Sequence, residues 1–281
     1  MMLKGLFEAG FKATVAFALL NLAACGGGAQ NSAIPTLTYA VGASGYSSPT
    51  STESGLVEVR LDNATTAPHL VAVVRPKAGV TAEQVKTTLA QGGFEALEEL
   101  VEMAGGVSAQ PGQAAAVVLE LRTGAHLLVG LKLSQDGPPE IPPGAVRDLE
   151  VKPRGGPAPT APKPDVTAVG KDFSYEMPSS IKAGPKLWLF DNQGQHLHHL
   201  ILFRLEEGKT LDDLKAWLAD PQAAPPGEEA GFLLEISGGY REYARLDLPP
   251  GNYAAICFIV DHHSGKSHAD LGMIQALTVT P

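Results

Sequence analysis

The chain has 281 residues and carries 30 acidic against 21 basic side chains, a net charge of −9 with histidine neutral. That balance excludes nucleic acid as a partner, which needs a basic footprint, and beyond that it signals little more than solubility. No G-x-S-x-G elbow, phosphate loop or zinc-protease helix occurs, so hydrolase and nucleotide-binding readings have no foothold.

At the N-terminus, Lys4 and Lys12 precede "ATVAFALLNLAA", which is too short to span a bilayer as a stable helix. Residues 1–24 read as a secretory signal with a basic start and a small-residue cleavage region. The stretch Leu22 to Cys25, "LAAC", resembles the lipobox of bacterial lipoproteins. The resemblance implies cleavage before Cys25, acylation of its thiol and amine, and a protein tethered outside the cytoplasm to the cell envelope. Several acyl chains on one residue anchor durably, at about 0.8 kcal/mol per buried methylene. Residues 25–35 then read as a flexible tether. Of two cysteines, lipidation consumes Cys25 and leaves Cys257 a lone thiol in an oxidising compartment, either buried and inert or held as a metal thiolate.

"KPRGGPAPTAPKP", inside the linker 152–165, cannot pack a core and favours extended chain. It separates 36–151 from 166–281, each long enough to bury its own core. The halves resemble each other. "ESGLVEVRLDNATTAPHLVAVVRPKAGVT" aligns without a gap to "KAGPKLWLFDNQGQHLHHLILFRLEEGKT", matching Gly55 with Gly184, Asp62-Asn63 with Asp191-Asn192, and His69 with His198. Farther on, "LELRTGAHLLVG" matches "LDLPPGNYAAIC", which sets Gly124 against Gly251 and Gly130 against Cys257. A tandem duplication is the reading.

Both halves read mainly as strands. "LVEVRL", "HLVAVV", "AAVVLEL" and "HLLVGLKL" in the first, and "KLWLF", "HLILFRL", "YARLDL", "YAAICFIV" and "IQALTV" in the second, are short, alternating or β-branched and bounded by turn residues. One helix interrupts each set: "TAEQVKTTLA" and "TLDDLKAWLAD" open on a threonine with an amide or acid three residues later, a capping box. Leu211, Leu214, Trp217 and Leu218 give the second helix an apolar face. The expected fold is therefore mainly β, two tandem β-sandwiches with one short inserted helix each.

In the second half, a histidine follows an Asn-Gln-Gly turn, and Cys, His and Met come later in that order. "AGPKLWLFDNQGQHLHH", "LPPGNYAAIC" and "HADLGM" are similar to the stretches around the ligands in cupredoxins (plastocyanin, azurin, the copper domain of nitrite reductase). The similarity covers roughly 166–281, with the first half as a degenerate copy. It implies Greek-key sandwiches, one copper ion in the second half, and ligand roles for His198, Cys257, His268 and Met273. Two imidazoles and a thiolate with a long axial thioether are the blue-copper arrangement. Ten residues lie between Cys257 and His268, nearer the nitrite reductase type than the small electron carriers, and His199 stands where cupredoxins often have asparagine.

His198 and His199 point to opposite faces if they lie on a strand, and His198 is favoured as the ligand. His196 shares its face if the strand starts that early, and His262 is a rival ligand, while His263 reads as a solvated loop residue. The first half keeps His69 but has Gly130, Glu140 and Ala145 at about the Cys, His and Met positions, so it cannot make a soft copper site; His69 and His126 read as structural. The expected activity is electron transfer or copper handling with a redox or copper-handling protein partner, and no enzymatic chemistry. The rivals are a metal-free envelope-binding module and a zinc or copper(II) site of His196, His198, His262 and His268 without the thiolate.

Overall fold

The structure, a computed structural model, describes residues 33–134, 137–220, 222 and 224–281, so residues 1–24 and Cys25 lie outside it. The first half holds β1 (Thr36–Gly42), β2 (Gly45–Ser47), β3 (Ser51–Glu53), β4 (Gly55–Asn63), β5 (His69–Pro76), helix α1 (Ala82–Gly92), β6 (Val101–Ala109), β7 (Ala114–Leu121), β8 (Gly124–Lys132) and β9 (Val146–Lys152). The second holds β10 (Val166–Lys171), β11 (Ser174–Glu176), β12 (Ser180–Lys182), β13 (Gly184–Asn192), β14 (His198–Leu205), α2 (Leu211–Ala219), β15 (Gly227–Ile236), β16 (Arg241–Leu248), β17 (Gly251–Ile256) and β18 (Ile274–Thr280).

Strand order is the same in both halves. The first builds β2-β1-β4-β7 and β3-β9-β8-β5-β6; the second builds β11-β10-β13-β16 and β12-β18-β17-β14-β15. Each half is thus a cupredoxin-like Greek-key β-sandwich with one short helix, the fold the sequence implied. In both, β1/β4 and β10/β13 run parallel, as do β3/β9 and β12/β18. Residues 153–165 have neither helix nor strand.

Alternation drives the inner faces. Val57, Val59 and Leu61 on β4 point inward and are fully buried while the residues between them are half-exposed; each such side chain contributes about 1.5–3 kcal/mol of burial. The middle strands β5 and β14 are buried on both faces because a helix covers the outer one. Val85 and Leu89 of α1 pack with Val74, Leu127 and Val129, and Leu214 and Trp217 of α2 pack with Ile201, Phe203 and Ile256. Both capping boxes form: Thr81 with Gln84, and Thr210 with Asp213.

The two sandwiches are joined by backbone. β7 and β16 pair antiparallel, Val118 opposite Tyr243, so their sheets fuse into one of eight strands. A polar knot flanks this seam. The Glu102 carboxylate accepts from Arg75 Nη1 at 3.0 Å and from the Tyr240 hydroxyl at 2.6 Å, and Arg122 lies 4.1 Å over the Tyr240 ring. Ser237 and Met103 exchange two bonds of 2.9 Å across the same boundary.

Candidate metal centre

The turn between β13 and β14 is held by Asn192. Its Nδ2 donates to the carbonyls of His196 and Ile236, and its Oδ1 accepts from Gly194 N–H. Asn63 does the same in the first half, toward Ala67, Ala109 and Thr65. The matched asparagines of the repeat, Asn63 and Asn192, are therefore turn-builders. From the β10–β11 hairpin, Asp172 adds a clamp, its Oδ1 accepting from the backbone of Gln195 at 2.8 Å and His196 at 3.2 Å.

His198 begins β14, opposite Ile236 on β15, and the register slips between His198 and Leu200. The first half runs in regular register at the matching place, from His69 through Val73. A bulge re-aims side chains and unpairs a residue, and here it falls at His199, whose backbone N–H acts to lower the Cys257 pKa. The His198 and His199 side chains part to opposite faces as expected. His199 Nε2 accepts from Phe258 N–H at 2.8 Å and so holds the chain just past Cys257. His196 lies before the strand rather than on it.

The "YAAICFIV" stretch leaves its sheet after Ile256, so Cys257 opens a loop. That loop is bonded to itself: Cys257 N–H to Met273 O, Ala269 N–H to Cys257 O, His268 N–H to Ile259 O and Met273 N–H to His268 O, all at 2.7–3.1 Å. This returns His268 and Met273 to Cys257. The result brings together three of the four expected ligands. His198 Nδ1 is 3.0 Å from His268 Nδ1, which is 3.5 Å from Cys257 Sγ, and one donor atom of each lies within 4.8 Å of the others. Met273 is fully buried at the exit of the loop, its methyl packed beside Gly170 on β10.

All three donors are buried. Burial, followed by the neighbouring His268, lowers the His198 pKa to about 4 against the pull of Asp172. Burial, followed by His196, lowers that of His268 to about 4. Both rings are neutral at pH 7, so the 3.0 Å contact is one N–H shared between two ring nitrogens. Burial pushes the Cys257 thiol up to about 12, while the N–H groups of His199 and Ile259 act the other way. His198 Nε2 has no hydrogen-bond partner, and Asp172 Oδ1 approaches it only to 3.6 Å.

Two of the three donor spacings, 3.0 Å between the imidazole nitrogens and 3.5 Å from His268 to the sulfur, lie within reach of one shared ion bound at about 2.0–2.1 Å by nitrogen and about 2.3 Å by thiolate. The set of imidazoles and thiolate suits copper in both oxidation states.

Two aromatic residues carry no motif and escaped the sequence reading. Phe173 lies edge-on to His268 at 5.0 Å and 5.1 Å from the His196 ring, and it holds φ 62°, the one non-glycine left-handed residue described. The Tyr175 hydroxyl donates to His199 O at 2.5 Å beside Cys257. His262 and His263 are exposed. His262 Nε2 meets Glu98 Oε2 of the first half at 2.7 Å and takes no part in the cluster.

In the first half the equivalent place is filled. Gly130 N–H donates to Ala145 O as Cys257 N–H does to Met273 O, and Glu140 N–H to Lys132 O as His268 N–H does to Ile259 O. A Cβ at Gly130 would run into the Tyr39 hydroxyl, which donates to Ala145 O at 2.7 Å.

No protein-family model matches the chain, and neither does any curated protein. Among solved structures it is similar to auracyanin B, at 18% identity and TM-score 0.30 over 43% of this chain and 94% of that one. An auracyanin from Roseiflexus castenholzii gives 18% and 0.29 over 41% and 95%. The blue copper oxidase of Nitrosomonas europaea gives 15% and 0.24 over 87% and 85%. The fold rests on the strand order above, not on these scores.

Proposed function

We propose that the chain is an extracytoplasmic cupredoxin-like protein whose second half binds one copper ion through His198, Cys257, His268 and Met273. Its role is electron transfer or copper handling, with a redox or copper-handling protein as partner and without chemistry on an organic substrate. A lipid on Cys25 ties it to the membrane. The single observation that carries this reading is the convergence of His198 Nδ1, His268 Nδ1 and Cys257 Sγ in a buried pocket.

Copper held there supplies one-electron chemistry between its two oxidation states. The rest falls to the chain. Cys257 would give up its thiol proton to a bound cation, while each neutral imidazole would keep its one N–H on Nε2 and offer Nδ1, so loading would release the thiol proton. His199 and Tyr175 fix the strand and loop behind the sulfur. Phe173, edge-on to His268, shields that ring from water. Because both loops are anchored to packed strands, the donors keep one geometry whichever charge the ion carries.

Cu(II) added to the protein should give an intense visible band from sulfur-to-copper charge transfer, lost in Cys257→Ser and altered but retained in Met273→Leu. A protein that stays colourless and keeps a titratable thiol sinks the proposal. The first half supplies the observation for a second reading, a metal-free binding module: it has the same strand order, and among its described residues no metal-holding His/Cys/Asp/Glu group forms. A histidine-only site draws no support, since His262 is engaged by Glu98.

A further inference from the structure

A cleft of about 490 Å³ opens in front of the centre, and both halves line it. The first half contributes Glu98, Glu99 and Lys77, the second His196, His262 and His263. Of the clustered donors, His268 alone reaches its wall. The cleft therefore leads from solvent to one ligand of the buried set. The His196 ring, 5.9 Å from that of His268, lines the cleft beside it.

Across the mouth, His262 and Glu98 face each other. The imidazole is 65% exposed and the carboxylate 28%, with Nε2 and Oε2 only 2.7 Å apart. Glu98 is held by more than this contact, since its backbone carbonyl accepts from Lys77 Nζ at 2.9 Å. One carboxylate oxygen and one imidazole nitrogen at that spacing can hold a divalent ion whose other positions stay with water. Such a site binds weakly and exchanges fast, and nitrogen–oxygen donors favour copper(II) among first-row divalent ions. The buried centre is the opposite: its three donors are buried, and only His268 reaches the cleft.

We propose that Glu98 and His262 form a capture site for an incoming copper(II) ion, from which the metal passes along the cleft by His196 to His268. The first half, among whose described residues no metal-holding group forms, thereby takes part in loading the second. At capture the ion replaces the proton between His262 and Glu98, and that proton leaves to solvent. This inference rests on the reading of the buried cluster as a copper centre, so its test has two arms.

In the first arm, intact metal-free protein is mixed with Cu(II) and growth of the sulfur-to-copper band is followed by stopped flow. Glu98→Gln and His262→Ala should each slow it at least fivefold at low micromolar copper while leaving the final band unchanged; His263→Ala should not. In the second arm, Cys257→Ser protein is titrated with Cu(II) and read by electron paramagnetic resonance. Its weakly bound copper should show nitrogen coupling and lose affinity about tenfold when His262→Ala is added. Unchanged loading rates and unchanged affinity overturn the capture site. Absence of the band from wild-type protein, with the His262-dependent signal intact, removes the buried centre but keeps the capture site.

Discussion

Tyr39 occupies the space that a side chain on Gly130 would need. Tyr39 lies on β1, and its hydroxyl donates to the Ala145 carbonyl, which also accepts from Gly130 N–H. The corresponding carbonyl in the second half, that of Met273, accepts from Cys257 N–H. Where the second half has the Cys257 side chain, the first half has the Tyr39 hydroxyl.

That relationship can be measured as a coupling. Gly130→Ala should cost about 1–3 kcal/mol by overpacking. Tyr39→Phe should cost about 1 kcal/mol, since Ala145 O keeps its bond from Gly130. The double variant should be more stable than the sum, by roughly 1 kcal/mol or more, because removing the hydroxyl makes room for the methyl. Urea denaturation of the four proteins reads this, and simple additivity would refute the plug.

Phe173 offers a second test. Its left-handed backbone costs about 1–2 kcal/mol, a strain retained where the ring covers His268 and His196. Phe173→Gly relieves the strain and removes the ring together, so stability should change little, whereas Phe173→Ala should destabilise. In both, a chelator should strip copper several-fold faster than from wild-type protein. Equal stripping rates would deny the ring its covering role.

How far the sequence reached can be judged from these same residues. The cluster of His198, Cys257 and His268 was legible because the order of these residues along the chain survives in one copy and fails in the other. The helices were legible because Thr81–Gln84 and Thr210–Asp213 write their caps locally. Asp172, Phe173 and Tyr175 were not, since a short hairpin with an aromatic turn has no pattern until its partners some 25 residues on are placed beside it. The edge strands β6 and β15, with Gly105-Gly106 in the one and three glutamates in the other, do not alternate as strands do and were passed over. Contacts such as His262 with Glu98 depend on how the halves sit together, which periodicity does not encode.

Acid should weaken the metal-free fold through the histidines. His198 and His268 have their pKa values lowered to about 4 and His199 to about 3, burial being the main cause in each. Unfolded histidine titrates near 6.5, so the unfolded chain binds more protons between these values and stability rises with pH there. The denaturation midpoint should fall as the metal-free protein is taken from about pH 6.5 toward 4, and less steeply in His199→Gln. An equal slope in that variant would contradict the assignment.

Alkali should act through a different set. Glu242 is buried at the seam with Oε2 unpartnered, and burial raises its pKa well above the usual range; Glu229 and Glu235 rise to about 7 for the same main reason. A carboxyl with a raised folded pKa contributes stability below its unfolded value and loses it as pH climbs through the folded one. Above about pH 6.5 the buried histidines no longer oppose this, so stability should decline toward about pH 9. Glu242→Gln should flatten the decline, and a slope equal to wild type would show that Glu242 is already ionised in the fold.

The register of the seam has a consequence for descent. Leu119-Glu120-Leu121 aligns with Leu246-Asp247-Leu248, so Val117 is the counterpart of Ala244. Those two residues pair with each other, and the next pairs, Val118 with Tyr243 and Leu119 with Glu242, continue the same register. A pseudo-two-fold axis therefore passes between Val117 and Ala244. Strands that meet at their own equivalent position form an isologous contact, the kind by which two identical subunits close into a dimer. The seam has the form of a homodimer interface between two like sandwiches, here closed within one polypeptide.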